Sequence, residues 1–271
     1  MTNLTQRALT GAVLVIITVA SIMWGSYSFF ILMLSINLLG ILEFYRLFNS
    51  YTLSPRNITG AILSISILVT VNLVISNVSN WQVLLINIPI AFSPFLIELY
   101  LKAKYPFHNL AIIYLGIICV TVPLCFFAAI AFLPPGSGDY HSWLVLGYFF
   151  ILWASDTGAY FIGKYFGKRK LFERISPKKT WAGSLGGAAF ASAVAYINSY
   201  FFQAINVTGW MIITLIIVVG GTFGDLIKSL MKRSLGLKDS GTILPGHGGI
   251  LDRFDTLLGS SPFVFCYLIL F

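Results

Sequence analysis

The chain has 271 residues, of which 58% are hydrophobic, 15% aromatic and only 10% charged. Soluble domains carry about 25% charged and 45–50% apolar residues, so this balance excludes a water-soluble fold, a disordered chain and a disulfide scaffold. The mean hydropathy of +0.88 agrees, and at ~20 residues per crossing the apolar content supplies roughly eight bilayer spans. Lys and Arg number 17 against 9 Asp and Glu, a net charge of +8. In so apolar a chain that excess reads first as a topology signal and not as a nucleic-acid footprint.

Uninterrupted apolar runs predict nine spans, over residues 9–24, 29–47, 58–76, 81–101, 110–133, 142–163, 181–205, 210–227 and 257–271. The expected fold is therefore all-α: a polytopic integral membrane protein with about nine transmembrane helices. The last run has 15 residues, which at 1.5 Å per residue reach only about 22 Å of a ~30 Å hydrocarbon core. It must begin earlier, tilt, or sit in thinned bilayer. With Arg7 and the N-terminus on the cytoplasmic side, nine spans place all 17 basic residues on that side. The opposite loops, around Ser26, Asn77, Asp139 and Asn206, hold no Lys or Arg. That is the positive-inside pattern for an odd number of spans. The first run resembles a signal-peptide core, but no small-x-small cleavage site follows it, and it is read as retained. Cys119, Cys125 and Cys266 lie in apolar runs and read as small core residues, not as a disulfide or metal set. The sequons at Asn77 and Asn206 read as chance, and no internal repeat points to an inverted-repeat transporter.

Polar residues gather in one part of the chain. Residues 156–271 hold 12 of the 17 basic and 6 of the 9 acidic side chains. The chain divides accordingly into a scaffold of apolar spans, residues 1–135, and a catalytic membrane region, residues 136–271, whose site faces the cytoplasm. Asp156 falls inside the sixth span, where an ionisable group is costly and marks a functional site by default. Asp225 sits near the end of the eighth span among Gly220, Gly221 and Gly224, which let another backbone or a ligand approach. Asp252 and Asp255 have i, i+3 spacing and would share one face of a helix. Converging carboxylates suit Mg²⁺, a hard cation that takes oxygen ligands and keeps waters for a phosphate substrate. The competing reading pairs each acid with a nearby base, such as Asp252 with Arg253 or Asp239 with Lys238.

Basic and glycine-rich segments surround these acids. Ser176, Lys178, Lys179 and Thr180 precede the seventh span, and Lys232, Arg233 and Lys238 fall in the last cytoplasmic loop. Pro245, Gly246, His247, Gly248 and Gly249 then lead to the expected Asp252 helix. Glycines ahead of a helix expose backbone N–H groups to phosphate, and the helix dipole favours an anion there. Cations beside a Mg²⁺ site are the equipment of a nucleoside triphosphate enzyme. Simple contact with lipid headgroups accounts for Lys102 and Lys104, but not for cations interleaved with Asp, His and glycine. His247 reads as a base, a phosphate donor or a turn residue, with phosphate contact favoured over general base. Gly183, Gly187, Ala191 and Ala195, spaced by four, read as a helix-packing seam.

The string SLMKRSLGLKDSGTILPGHGGILDRFD, residues 229–255, resembles the signature of phosphatidate cytidylyltransferases, the CDP-diacylglycerol synthases. The string WASDTGAYFIGKYFGKRKLFERISPKKTW, residues 153–181, is similar to that family's upstream motif. The resemblance implies a nine-helix, dimeric membrane enzyme that joins CTP and phosphatidate into CDP-diacylglycerol, releasing pyrophosphate at a Mg²⁺-dependent cytoplasmic site. It implies Asp225, Asp252, Lys238 and His247 as catalytic residues, and Asp225, Asp252, Asp255 and Asp156 around the metal. Ser176, Lys178, Lys179, Thr180, Lys232, Arg233, Asp239, Gly248, Gly249 and Arg253 would contact the substrates. The chain departs from the family at Lys228, where GDLIKS replaces the usual GDLxES. The resemblance implies a second, monovalent cation such as K⁺; the Lys228 ammonium reads as a partial substitute for that cation or for a lost ion pair, the alternative being that it simply points to the interface. Two alternatives are a CTP-dependent kinase of a polyprenol or phytol, and an anion transporter. The near absence of charge from the outer loops counts against transport.

Overall fold

The computed structural model describes residues 3–48, 57–133, 137–237, 240–241 and 248–271. Every apolar run named above becomes helix. The elements are α1 (Asn3–Trp24), α2 (Ser26–Phe48), α3 (Asn57–Ile75), a 3₁₀ turn (Trp81–Ile86) running into α4 (Asn87–Tyr100), and α5 (Pro106–Gly116), joined through a π turn (Ile117–Thr121) to α6 (Val122–Ile130). Next come α7 (Ser142–Phe166), a hairpin of β1 (Lys170–Phe172) and β2 (Ser176–Thr180), then α8 (Trp181–Phe201), α9 (Val207–Ser234) and α10 (Asp255–Leu270). Among the described residues, six helical segments are long and apolar enough to cross a membrane, and α10 and the Leu9–Trp24 part of α1 are shorter apolar helices. The all-α membrane character follows from these segments. The 21-residue α8 is not among the six, because its glycine, serine, asparagine, tryptophan and tyrosine residues lower its hydropathy.

The chain forms two compact units, Met1–Tyr140 with Asp239–Arg253, and His141–Lys238 with Phe254–Phe271. In the first, Phe29 meets Phe127 and Tyr140 with ring centroids 6.1 and 5.6 Å apart. The Tyr140 hydroxyl donates to the Ile22 carbonyl at 3.0 Å, tying the end of the unit back to α1. Inside, Asn37 Nδ2 donates to Ser64 Oγ at 2.8 Å, and Ser64 shares a 2.7 Å hydrogen bond with Thr121 at the π turn. Such a fully buried polar bridge locks α2 and α3 to the π turn, where apolar contact alone gives little specificity in lipid.

In the second unit, the predicted seam on α8 is realised. Gly183, Gly187, Ala191 and Ala195 are all buried, and a Cβ on Gly187 would come within 2.7 Å of the Ser155 carbonyl of α7. A second close approach joins α9 to α10, where a Cβ on Gly224 would lie 2.5 Å from the Gly259 Cα. Tyr148 of α7 shares a 2.6 Å hydrogen bond with Ser260 of α10. Trp210 is fully buried. No disulfide joins Cys119, Cys125 or Cys266.

Two local expectations change. Helix α9 runs to Ser234, so Lys232 and Arg233 ride its last turn and do not sit in a loop. Leucine and methionine alternate with those bases, which keeps an apolar stripe going beyond the bilayer-like run. Asp252 lies in a turn before α10, which begins at Asp255, so the i, i+3 pair does not share a helical face.

Candidate active site

A polar cavity of about 260 Å³ opens in the second unit, lined by Asp156, Lys178, Lys179, Thr180, Asp225 and Thr256 among others. These side chains arrive from four elements, α7, β2, α9 and α10, each for a local reason. β1 and β2 pair antiparallel, and β2 carries Lys178 and Lys179 out of the α7–α8 connection. Thr180 ends the strand in extended backbone and caps α8, its Oγ1 accepting the Gly183 N–H at 3.1 Å. This is the N-cap arrangement in which a hydroxyl satisfies an otherwise orphaned amide. Asp156 comes from the interior of α7.

Asp225 projects from α9. Its Oδ2 lies 2.5 Å from the Lys179 ammonium, with both side chains about a quarter exposed, and its Oδ1 accepts the Ser229 hydroxyl at 3.2 Å. The Gly224–Gly259 contact draws the start of α10 against this turn, and Asp255 thereby stands against Asp225 with Lys228 and Asp156 acting on it as nearby charges. Asp255 Oδ1 accepts the Thr256 N–H at 2.7 Å, at the helix end where a negative charge is favoured. Three acids, Asp156, Asp225 and Asp255, and three lysines, Lys178, Lys179 and Lys228, thus share one neighbourhood of the second unit.

Of the signature, the first unit holds residues 240–241 and 248–253, and the second unit holds 229–237 and 254–255. Asp252 Oδ2 accepts the Ser240 N–H at 3.0 Å. Gly248 adopts a φ of +86°, a conformation that a side chain would resist. Arg253 donates its backbone N–H to the Ile250 carbonyl at 3.0 Å. Ser176 opens β2, and Arg233 closes α9 by donating Nη1 to the Leu237 carbonyl at 3.2 Å. Lys238, Asp239 and His247 lie outside the described residues.

One residue of this region escaped the sequence reading. Glu43 of α2 is 1% exposed and accepts the Ile250 N–H at 2.7 Å, the Leu251 N–H at 3.3 Å and the Ser240 hydroxyl. It stands in a segment read as scaffold because its neighbours are apolar. The rule that singled out Asp156, an acid within a membrane-spanning run, applied equally to Glu43.

Among the described residues, no three His, Cys, Asp or Glu side chains form a preassembled metal cage. Mg²⁺ does not need one. It keeps several waters and is bound through one or two carboxylates plus substrate phosphates. The adjoining Asp225 and Asp255 carboxylates, both oxygen donors beside lysines suited to phosphate, fit that requirement.

An all-α membrane protein with a cavity of carboxylates and phosphate-suited lysines is the class that fold and site define. Residues 5–271 match the cytidylyltransferase family, and the chain belongs to it. It is 32% identical to the phosphatidate cytidylyltransferase of Bacillus subtilis in an alignment that covers 100% of both chains. Identity to the enzyme of that name from Staphylococcus aureus is 32% over 97% of this chain and 98% of the relative. With that of Haemophilus influenzae it is 45% over 138 residues, 49% of this chain and 48% of the relative.

Proposed function

We propose that this protein transfers the cytidylyl group of CTP to phosphatidate, forming CDP-diacylglycerol and pyrophosphate in phospholipid biosynthesis. The observation that carries the reading is the Lys179–Asp225 pair in a cavity that also holds Lys178 and Asp156, in a chain that aligns end to end with a phosphatidate cytidylyltransferase. A phosphatidate phosphate oxygen attacks the α-phosphorus of CTP. The new P–O bond forms as the α–β bridging P–O bond breaks, and its electron pair leaves with pyrophosphate. The attacking phosphate is already anionic at neutral pH, so the protein has mainly to position two anions and neutralise them.

Lys178 and Lys179 bind the triphosphate and offset the charge that grows on the leaving pyrophosphate. Asp225 and Asp255 would hold Mg²⁺, and Asp156 would order water beside it. Asp252 enters as a metal ligand on the family resemblance, as do Lys238 and His247 as phosphate contacts. When bound, the ion shields the approaching anions and polarises the phosphoryl oxygens. Thr180 acts by fixing the end of β2, and so the direction of Lys179. Lys228, beside Asp255, supplies the single positive charge otherwise contributed by a monovalent cation. The placement of all 17 basic residues on one side of a nine-span path supports a cytoplasmic N-terminus and a site that faces the cytoplasm. The resemblance supports a homodimer.

The test is purified protein in mixed micelles with CTP, phosphatidate and Mg²⁺. CDP-diacylglycerol and pyrophosphate are the expected products. In a parallel assay with a polyprenol or phytol in place of phosphatidate, release of CDP with the phosphorylated alcohol would establish a CTP-dependent kinase instead.

A further inference from the structure

We infer that Glu43 is a positioning residue for the signature loop: its carboxylate joins Ser240 to Ile250 and Leu251 and so sets Asp252, a role that rests on the proposed cytidylyltransferase activity. A carboxylate that is 1% exposed is tolerated only if its oxygens are met by donors. Oε2 takes the Ile250 amide at 2.7 Å, while Oε1 takes the Leu251 amide at 3.3 Å and the Ser240 hydroxyl. All three donors come from the signature segment, so the charge of Glu43 is directed at that segment alone.

The segment is shaped to receive it. A Cβ on Gly241 would lie 3.1 Å from Glu43 Cδ, and a Cβ on Gly249 would run into Glu43 Oε1. Gly249, read from the sequence as part of a phosphate cradle, therefore has another requirement, which it shares with Gly241: to let the backbone close on a buried carboxylate. Ser240 completes the linkage. Its hydroxyl donates to Glu43, and its own N–H donates to Asp252 Oδ2 at 3.0 Å. Any shift of Glu43 is transmitted through one residue to the Asp252 carboxylate. Leu251, next to Asp252, is held from the other side by its amide.

The test compares Glu43→Gln, Ser240→Ala and the unchanged protein. Gln keeps the volume but replaces one acceptor oxygen with an NH₂ that faces N–H donors. Hydrogen–deuterium exchange, read without nucleotide or metal, should rise in the peptide covering residues 248–252 and stay unchanged in α7 and α9. In turnover assays the Glu43→Gln protein should lose about 10-fold or more in kcat and need correspondingly more Mg²⁺, the usual size of such outer-layer effects, with KM for phosphatidate unmoved. Ser240→Ala should move both readouts the same way by less. If Glu43→Gln does not fold, Ser240→Ala decides. Wild-type exchange at 248–252 in the folded variants, or wild-type Mg²⁺ dependence, overturns the inference. Should the unchanged protein lack cytidylyl transfer, the functional reading fails on its own, and the exchange measurement still reports whether Glu43 holds the loop.

Discussion

Lys179 Nζ lies 2.5 Å from Asp225 Oδ2, so a cation carried by a hairpin closes onto a carboxylate carried by a transmembrane helix. The pair works as a unit: the lysine neutralises the acid, and the acid keeps the lysine in the cavity lining. Lys179→Ala and Asp225→Asn should each cut kcat/KM for CTP by about 100-fold or more, the scale of a lost electrostatic contact in a protected site. Because they act together, the double variant should be little worse than Asp225→Asn alone. Fully additive losses in a double-mutant cycle would show that the two side chains serve separate steps.

The close approach of α9 and α10 brings Asp255 to Asp225. Gly224→Val would place side-chain carbons where the Gly259 Cα already stands, 2.5 Å from the first of them. Overpacking of this kind costs about 1–3 kcal/mol, so the thermal midpoint in detergent should fall. Turnover should fall further than stability does, because the two carboxylates separate. Wild-type turnover in Gly224→Val would show that the Asp225–Asp255 spacing has no part in the chemistry.

Thr180 couples helix stability to substrate binding. Thr180→Val removes the acceptor for the Gly183 N–H, a loss worth about 0.5–2 kcal/mol, and frees the end of β2 that carries Lys179. The expected outcome is a lower thermal midpoint together with a raised KM for CTP, both restored by Thr180→Ser. A lowered midpoint with an unchanged KM would confine Thr180 to capping.

How much of this was legible in the sequence depended on the range of the interaction. Helices declare themselves by local hydropathy, and every apolar run became one. The Gly183–Ala195 seam and the glycines around Asp225 were legible because close packing in lipid demands small residues at fixed spacing. The end of α9 was not, since Lys228, Lys232 and Arg233 look like a loop when only charge is counted. The i, i+3 spacing of Asp252 and Asp255 misled because spacing implies a shared face only if a helix already exists, and α10 starts at the second of them. Glu43 could have been singled out as an acid in an apolar run, but its partners were illegible. Its partner Ser240 is 197 residues away, and nothing local shows where a buried acid finds its donors.

Lys228 gives the prediction most particular to this chain. The family position is usually acidic, and here an ammonium stands near Asp255. A lysine tethered beside these carboxylates supplies one positive charge permanently, with no binding cost, where a free monovalent ion must be held from solution. Pyrophosphate release by the unchanged protein should therefore proceed at similar rates in potassium and in choline buffers. Lys228→Glu restores the acidic side chain and removes the fixed cation, so its turnover should become potassium-dependent. Titrating potassium chloride against choline chloride at constant ionic strength separates this from general screening. A strict potassium requirement in the unchanged protein would mean that Lys228 does not take the place of the ion.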